Sequence, residues 1–577
     1  MTTQASQGQN RILVIGLDGA TFDLIKPWVA QGRLPAMGRL IAEGAHGNLR
    51  SVANMNSAPA WSSFATGTNP GKHGIFYFDE RVPNTYSKRY LNGSHRVGKS
   101  FWKLLSDQGK KVCVINVPMT FPADDLNGVK LAGLDSPSVQ SAGFAYPPSI
   151  LQELSSQVGD YIIEPGIPGY MKAAKKDQAL AKLFEAVDKR LAYARHLLAQ
   201  HPWELFVVVF TATDAVQHFF WKDMDPHHPE HDPQEATVYG DAIQRVYERM
   251  DDVVKTLMDA AKPSTTIVVS DHGGGFNQRG AEYLSPWLTK KGLLSRGAPR
   301  DGRSLRRSLM PGFRSMSTKQ VGFVYRQLDK RLSRETKLKL VNLFPGVRER
   351  VESAICFQGI DWTATRAYSD GARDEIWINV RGREPEGTVE PGEEYDQLCA
   401  YLIDELMACR DTKTGRKVVE GAFHREELYS GNQVERAPDI SIRWRTDFVI
   451  SGLATEENDD QPHAETEGLP PALNNGGHRM NGILIMEGEN VRKGAQLKSA
   501  AIVDVAPTIL YLCGADIPAN MDGRVLEEAL TESYLTSHPV KSSPLETEVA
   551  EESHRTEYSD EDARVIEERL KGMGYLG

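Results

Sequence analysis

The 577-residue chain has little cysteine, no long apolar run and no strong excess of either charge. Its five cysteines, Cys113, Cys356, Cys399, Cys409 and Cys513, are scattered and never spaced as C-x-x-C. That excludes a zinc ribbon or a disulfide framework, and buried, inert thiols are expected. No stretch approaches the ~18 apolar residues needed to span a bilayer, which excludes a channel or transporter. Residues 1–10 lack the basic start and apolar stretch of a secretory signal, so a cytoplasmic location is expected. There is no internal repeat. At 40% apolar and 25% charged residues the composition is that of a globular protein, not a disordered, collagen-like or fibrous one. At ~150 residues per domain, the length allows about three or four domains.

What is present is an alternation of apolar runs and helical patterns. RILVIGL (11–17), KVCVINV (111–117), LFVVVF (205–210) and TTIVV (265–269) read as buried strands. Residues 177–200 space their apolar positions by three and four, as an amphipathic helix does. Fully apolar strands separated by such helices predict an α/β fold, with a largely parallel sheet covered on both faces. Further strands are expected at 367–380 and 439–444, flanking a helix at 394–409.

Charge is distributed unevenly. Residues 289–350 hold 17 Lys/Arg against 4 Asp/Glu, in a chain whose net charge is −10. This basic segment reads as a loop (292–316) followed by a basic amphipathic helix (317–343). It predicts either a solvated helical lid or a surface for anionic lipid or another anion. Aromatics are not interleaved with its charges, so sequence-specific nucleic-acid recognition is not expected. Residues 456–468 read as an acidic connection, and 536–559 as a mobile acidic tail before a last helix at 560–571, capped by Ser559. The expected division is a catalytic core at 1–288 and 471–535, a basic helical insertion at 289–360, an α/β cap or core extension at 361–470, and the tail at 536–577.

Ligands of open α/β sheets bind at the carboxyl ends of the strands. Four such places carry metal-ligand chemistry here: Asp18 in GLDGA, Asp214 and His218 in TATDAVQH, Asp271 and His272 in SDHGGG, and His478 in NNGGHRMNG. Three aspartates and three histidines form a mixed nitrogen and oxygen set, suited to Zn²⁺ or Mn²⁺ more than to Ca²⁺. Six ligands suffice for two ions with positions left for substrate, a standard device for phosphoryl transfer. A nucleophile is then needed. Ser57, followed by Ala58-Pro59, lies near a helix start, where a metal and the helix N-terminus would activate its hydroxyl.

The order Asp, then Ser with TG-x-x-P-x-x-HGI, then D-x-x-x-H, DHG and a late glycine-flanked His resembles the alkaline phosphatase superfamily. ATGTNPGKHGI is most similar to its type I phosphodiesterase/nucleotide pyrophosphatase branch. The resemblance covers 11–79, 205–276 and 474–525. It implies a three-layer sandwich with an inserted cap, and hydrolysis of an anionic phosphate ester, a diester before a monoester, through a phospho-serine on Ser57. It further implies two divalent ions, Zn²⁺ or alternatively Mn²⁺. One would be held by Asp214, His218 and His478, the other by Asp18, Asp271 and His272, with Ser57 as a further metal residue, bridging or adjacent to the second. The branch also carries a phosphate-holding Asn after HGI; Phe78 stands there instead. The expected replacements are Asn56, Lys72 and Arg479, with Phe78 an apolar residue at the site mouth.

Rival readings are a phosphomonoesterase or phosphomutase of the same superfamily, or a non-catalytic anion-binding member. The mutases carry their insertion soon after the nucleophile. Here the large insertion falls between His272 and His478. GSHRVGKS (93–100) formally matches a P-loop, but polar TYSKRYLN precedes it where a P-loop needs a buried strand. It is expected to be a basic turn, with His95 and Lys99 as substrate contacts at most. His227, His228 and His231 in DPHHPEHDP are expected to lie on a solvated loop.

Overall fold

A computed structural model describes residues 10–297, 359–455, 473–544 and 555–573. Its centre is a nine-stranded sheet. In chain order the strands are β1 (Ile12–Leu17), β2 (Ala45–Arg50), β3 (Val112–Ile115), β4 (Gly128–Leu131), β5 (Ala145–Tyr146), β6 (Leu205–Phe210), β7 (Thr265–Val269), β8 (Asn481–Gly488) and β9 (Gln496–Leu497). Their spatial order is β9-β2-β8-β7-β1-β6-β3-β4-β5. The run β7-β1-β6-β3-β4 is parallel, while β8 runs antiparallel to both of its neighbours.

The strands are apolar throughout because both faces are covered. Side chains alternate across the sheet, so Leu13, Ile15 and Leu17 enter one hydrophobic cluster, and Ile12 and Val14 the other. The first cluster is closed by helices 176–200, 212–224 and 242–261, the second by helices 57–66 and 505–512. This is the expected three-layer α/β sandwich. No helix among the described residues is long and apolar enough to cross a membrane.

Three helices matter below: α1 (Ser57–Thr66), α2 (Ala212–Met224) and α3 (Asp560–Met573). In β1, Leu17 pairs with Phe210 of β6, and Gly16 with Val269 of β7. The three carboxyl ends are therefore level, and the residues that follow them emerge side by side.

A separate apolar cluster gathers residues 283–294, expected to fall partly in the core at 1–288, with residues 367–453. Tyr283, Leu284 and Trp287 join a four-stranded antiparallel sheet (Ala367–Tyr368, Glu375–Ile378, Ile440–Trp444, Val419–His424) and helix Glu393–Ala408. Ion pairs link this region to the segment after α1: Arg373 to Asp79 and Lys88 to Asp370, both at 2.7 Å. Most of the basic segment, including its expected helix at 317–343, and the acidic connection 456–468 lie outside the described residues.

Residues 555–573 are docked, although their acidic character predicts mobility up to 559. Tyr558 donates to the Asp135 carbonyl, Arg569 donates to Leu134 O at 2.7 Å, and Ile566 and Leu570 of α3 are buried. These few apolar side chains enter the cluster that also holds Ala58, beside Ser57.

Candidate metal and phosphoester site

Asp18 follows β1, α2 supplies Asp214 and His218 from the turn after β6, and Asp271 and His272 follow β7. His478 arrives by a separate route. Strand Gly476–Arg479 pairs antiparallel with Gly273–Phe276, which sets His478 opposite Gly274. Two of its glycines have no room for a side chain. A Cβ at Gly274 would lie 2.1 Å from Gln217 Oε1, and one at Gly476 2.1 Å from the Gln217 carbonyl. Gly19 takes φ +69°, and a Cβ there would meet Asp214 at 2.9 Å.

The six residues converge. His218 Nε2 lies 3.0 Å from His478 Nε2 and 3.2 Å from Asp214 Oδ1. His478 Nε2 is 3.5 Å from the same oxygen. His272 Nε2 is 3.3 Å from Asp271 Oδ2 and 3.7 Å from Asp18 Oδ1. The His272 and His478 rings stack with centroids 3.8 Å apart. Two groups have ligand atoms all within 4.8 Å of one another: Asp214, His272 and His478, and Asp18, Asp271 and His272. His272 is common to both.

Main-chain carbonyls fix the tautomers. His218 Nδ1 faces Gly476 O at 3.1 Å, His272 Nδ1 faces Gly273 O at 3.0 Å, and His478 Nδ1 faces Met55 O at 2.7 Å. A carbonyl only accepts, so each neutral ring carries its proton on Nδ1 and turns an Nε2 lone pair inward. Backbone partners of this kind orient metal-ligating histidines.

The carboxylates are equally constrained. Trp61, one turn along α1 from Ser57, donates to Asp18 Oδ2 at 3.2 Å, and Gly19 N donates to Asp271 Oδ1 at 3.3 Å. The other oxygens, Asp18 Oδ1 and Asp271 Oδ2, are buried without a hydrogen bond. Burial, then the charges of Asp271 and Asp214, raise Asp18 far above the usual carboxylate range; burial, then Asp214, pushes Asp271 up to about 7. Asp214 is also pushed up by burial, but His218 and His478 hold it well below the ordinary value. Burial, then the proximity of His478, pushes His272 down to about 3. Such a cluster of strongly perturbed groups marks a functional site.

Ser57 is the first residue of α1, with Asn56 as N-cap accepting from Ala58 N. Ser57 Oγ is fully buried and 3.1 Å from His272 Nε2. The neighbouring hydroxyls are used locally. Ser62 donates to Ala58 O, and Ser63 lies 3.0 Å from His73 Nε2. Since Ile75 N donates to His73 Nδ1, His73 carries its proton on Nε2 and donates to Ser63. The HGI histidine therefore braces α1.

The residues expected to touch substrate are placed differently. Lys72 Nζ donates to the Asn520 carbonyl and pairs with Asp522. Arg479 donates to His478 O and Phe276 O at 2.9 and 2.8 Å, and clamps the ribbon from behind. Phe78 is only 1% exposed and packs in the cluster with Ala58, Ile75 and Leu91, so it does not line the mouth. Asn56 caps α1 through Oδ1, which accepts from Ala58 N. In the P-loop-like stretch, Ser100 caps the helix at 101–107, Lys99 pairs with Asp107, and His95 bonds within its own turn. His228 and His231 are held by local backbone atoms, and neither group of ligand atoms includes them or His227.

Residues with no signal in the sequence also build the site. Trp61 aims Asp18. Gln217 donates to Gly19 O, and Thr213 to Asp18 O, which fixes the turn after β1. Met55 supplies the carbonyl for His478.

Comparison with curated proteins returns no match. Among solved structures, phosphonoacetate hydrolase from Sinorhizobium meliloti is similar at 14% identity and a TM-score of 0.48, over 88% of this chain and 96% of that one. Human ectonucleotide pyrophosphatase/phosphodiesterase 5 is similar at 13% identity and a TM-score of 0.44, over 92% and 99%. The family model for type I phosphodiesterase/nucleotide pyrophosphatase matches residues 12–468, which is most of the chain. The chain therefore belongs to the type I phosphodiesterase/nucleotide pyrophosphatase family and is a phosphoric ester hydrolase.

Proposed function

We propose that the chain is a two-metal phosphodiesterase with Ser57 as its nucleophile. One observation carries this reading: three imidazole lone pairs and three buried carboxylates converge beside Ser57. His218 Nε2 and His478 Nε2 lie 3.0 Å apart with Asp214 Oδ1 at 3.2 and 3.5 Å, an arrangement in which all three can turn toward one cation. Asp18 Oδ1 and Asp271 Oδ2 are buried without a hydrogen bond. The donor set thus fits divalent ions, and its imidazoles favour Zn²⁺ or Mn²⁺ over Ca²⁺. Asp214, His218 and His478 would hold one ion, and Asp18, Asp271 and His272 the other. Bound there, the ions supply Lewis acidity for the Ser57 hydroxyl, the phosphoryl oxygens and the leaving group.

The chain's own residues do the rest. α1 turns its positive end toward Ser57 Oγ, which favours both the alkoxide and an incoming phosphate. Ser57 Oγ attacks phosphorus, the bond to the first alcohol breaks, and that alcohol leaves with a proton. Water then cleaves the phospho-serine and restores the hydroxyl. Metal analysis of the purified protein, with a screen of chromogenic esters before and after chelation, tests this reading. About two ions per chain and activity lost on chelation are expected. Undiminished activity in metal-free protein would overturn it.

Diesters should be turned over faster than monoesters. A dianionic monoester needs an additional cation near the nucleophile. Ala58 and Pro59 follow Ser57, Lys72 is paired with Asp522, and Arg479 faces carbonyls. Phe78, being buried, does not enter this choice. The check is kcat/KM for bis-p-nitrophenyl phosphate against p-nitrophenyl phosphate on one metal-loaded sample. A tenfold monoester advantage, about 1.4 kcal/mol of transition-state stabilisation, would leave a phosphomonoesterase.

The basic segment 289–350 is proposed to recognise an anionic substrate or surface. Reversing several of its charges should weaken binding to anionic vesicles, more so at low salt, and spare a small chromogenic ester. Loss of that small-ester activity in a folded variant would place the segment in the catalytic site.

A further inference from the structure

Met55 sits two residues before the nucleophile with φ +50°, in the left-handed region that residues other than glycine seldom occupy. A side chain that does not need this conformation has a cost there, so the surroundings must hold it. On the near side, Met55 N donates to Val52 O at 3.0 Å, and Asn54 Nδ2 donates to Phe76 O. On the far side, Asn56 is already committed as the N-cap of α1. Phe76 is itself braced by the cap, its ring meeting Tyr429 edge-on with centroids 5.1 Å apart. The consequence of the unusual turn is the direction of one carbonyl. Met55 O accepts the proton of His478 Nδ1 at 2.7 Å, the shortest of the three bonds that fix an imidazole in the site.

We infer that Met55 is a positioning residue acting through its backbone: its left-handed conformation aims His478. His478 needs this support most, because it is the ligand candidate carried in from the distant strand Gly476–Arg479. Only Asn56 separates the strained turn from Ser57. One short segment therefore sets both the nucleophile and an imidazole from the other end of the core. The inference rests on the metal-site reading above.

Because the acting group is a carbonyl, the side chain should matter only through φ. Met55→Gly reaches the left-handed region freely and should hold both ions as tightly as wild type. Met55→Val, β-branched and disfavoured at positive φ, should weaken one of the two ions by about 10–100-fold, the usual cost of losing a ligand's outer partner. Asn54→Ala, which frees the same turn without touching the core, should weaken that ion in the same direction. The readout is Zn²⁺ affinity by competition with a chromogenic chelator, on the full-length protein, with thermal unfolding to establish that each variant is folded. If Met55→Val and Asn54→Ala both bind two Zn²⁺ with wild-type affinity, the inference is overturned and the site reading stands. If Met55→Gly loses affinity as much as Met55→Val does, the side chain rather than φ is responsible, which also overturns it. If wild type itself binds no Zn²⁺ or Mn²⁺, the site reading fails first.

Discussion

Ser57→Ala is expected to lower kcat by about 10⁴-fold or more while leaving both metals in place. The size follows from removing the atom that forms the covalent intermediate, a loss that other groups of the site do not replace. The selectivity follows from geometry. Ser57 is the first residue of α1, and alanine is at least as good a helix former, so the helix that carries Trp61 should persist. Trp61 would still donate to Asp18, Met55 would still face His478, and none of the six ligand candidates changes. The lost contact is that of Ser57 Oγ with His272 Nε2. Activity above a few per cent of wild type would move the nucleophile elsewhere. The nearest alternatives are poor ones, since Ser62 and Ser63 are fully buried and already bonded to Ala58 O and His73. A burst of alcohol equal to the enzyme concentration in wild type, absent in Ser57→Ala, is the second measurement. A burst of equal size in the variant would exclude a phospho-serine at position 57.

The elements that generate this geometry were legible because each has a strong local cause. LFVVVF and TTIVV can be buried on both faces only in a covered sheet, and they form β6 and β7 at the limits read from the sequence. The aspartates and histidines stand out because polar residues directly after such strands have few structural reasons to be there. His478 was legible from its glycines, and the structure gives the reason: Gln217 fills the space a Cβ would need at Gly274 and Gly476. Partners of side chains are another matter. Lys72 and Arg479 look like free cations in a linear sequence, because Asp522 and the carbonyls that take them lie hundreds of residues away or belong to the backbone. Phe78 occupies the place of a polar residue, but its ring turns into the cluster under Ala58 that Ile566 and Leu570 complete. No composition signal announces that α3 docks there. Nor does any residue type announce φ +50° at Met55, since methionine has no preference for it. The candidate ligands are marked in the sequence; their orientation depends on main-chain atoms that the sequence leaves unmarked.

Asp214→Asn and His478→Ala should each release the same one of the two ions, and Asp271→Asn the other. The first pair is 264 residues apart in sequence, and only a shared ion predicts one phenotype for both. Asp214 Oδ1 lies 3.2 Å from His218 Nε2 and 3.5 Å from His478 Nε2. Asparagine keeps its shape but removes the charge, so the two imidazoles lose the carboxylate that completes their ligand set. His478→Ala keeps the carboxylate and removes an imidazole, leaving Asp214 and His218 alone. Either change should cost more than the ~10–100-fold that outer-shell substitutions cost in metal affinity. Stability should follow by mass action. An ion present at 100 times its dissociation constant stabilises the folded state by about 2.7 kcal/mol, and each variant should forfeit that increment for one ion only. Asp271→Asn separates the two sites. It leaves Asp214, His218 and His478 intact and removes the oxygen that lies beside Asp18 and His272. Metal counts after dialysis against buffer with a weak chelator give the first readout. Titration of metal-free protein with Co²⁺, whose visible bands report each site's ligands, gives the second. One ion remaining in every variant, with matching Co²⁺ spectra for Asp214→Asn and His478→Ala and a different one for Asp271→Asn, is the expected pattern. Two tightly held ions in Asp214→Asn or His478→Ala would break the assignment. So would a common spectrum for all three, because His272, which lies within reach of both groups, would then join them into one site.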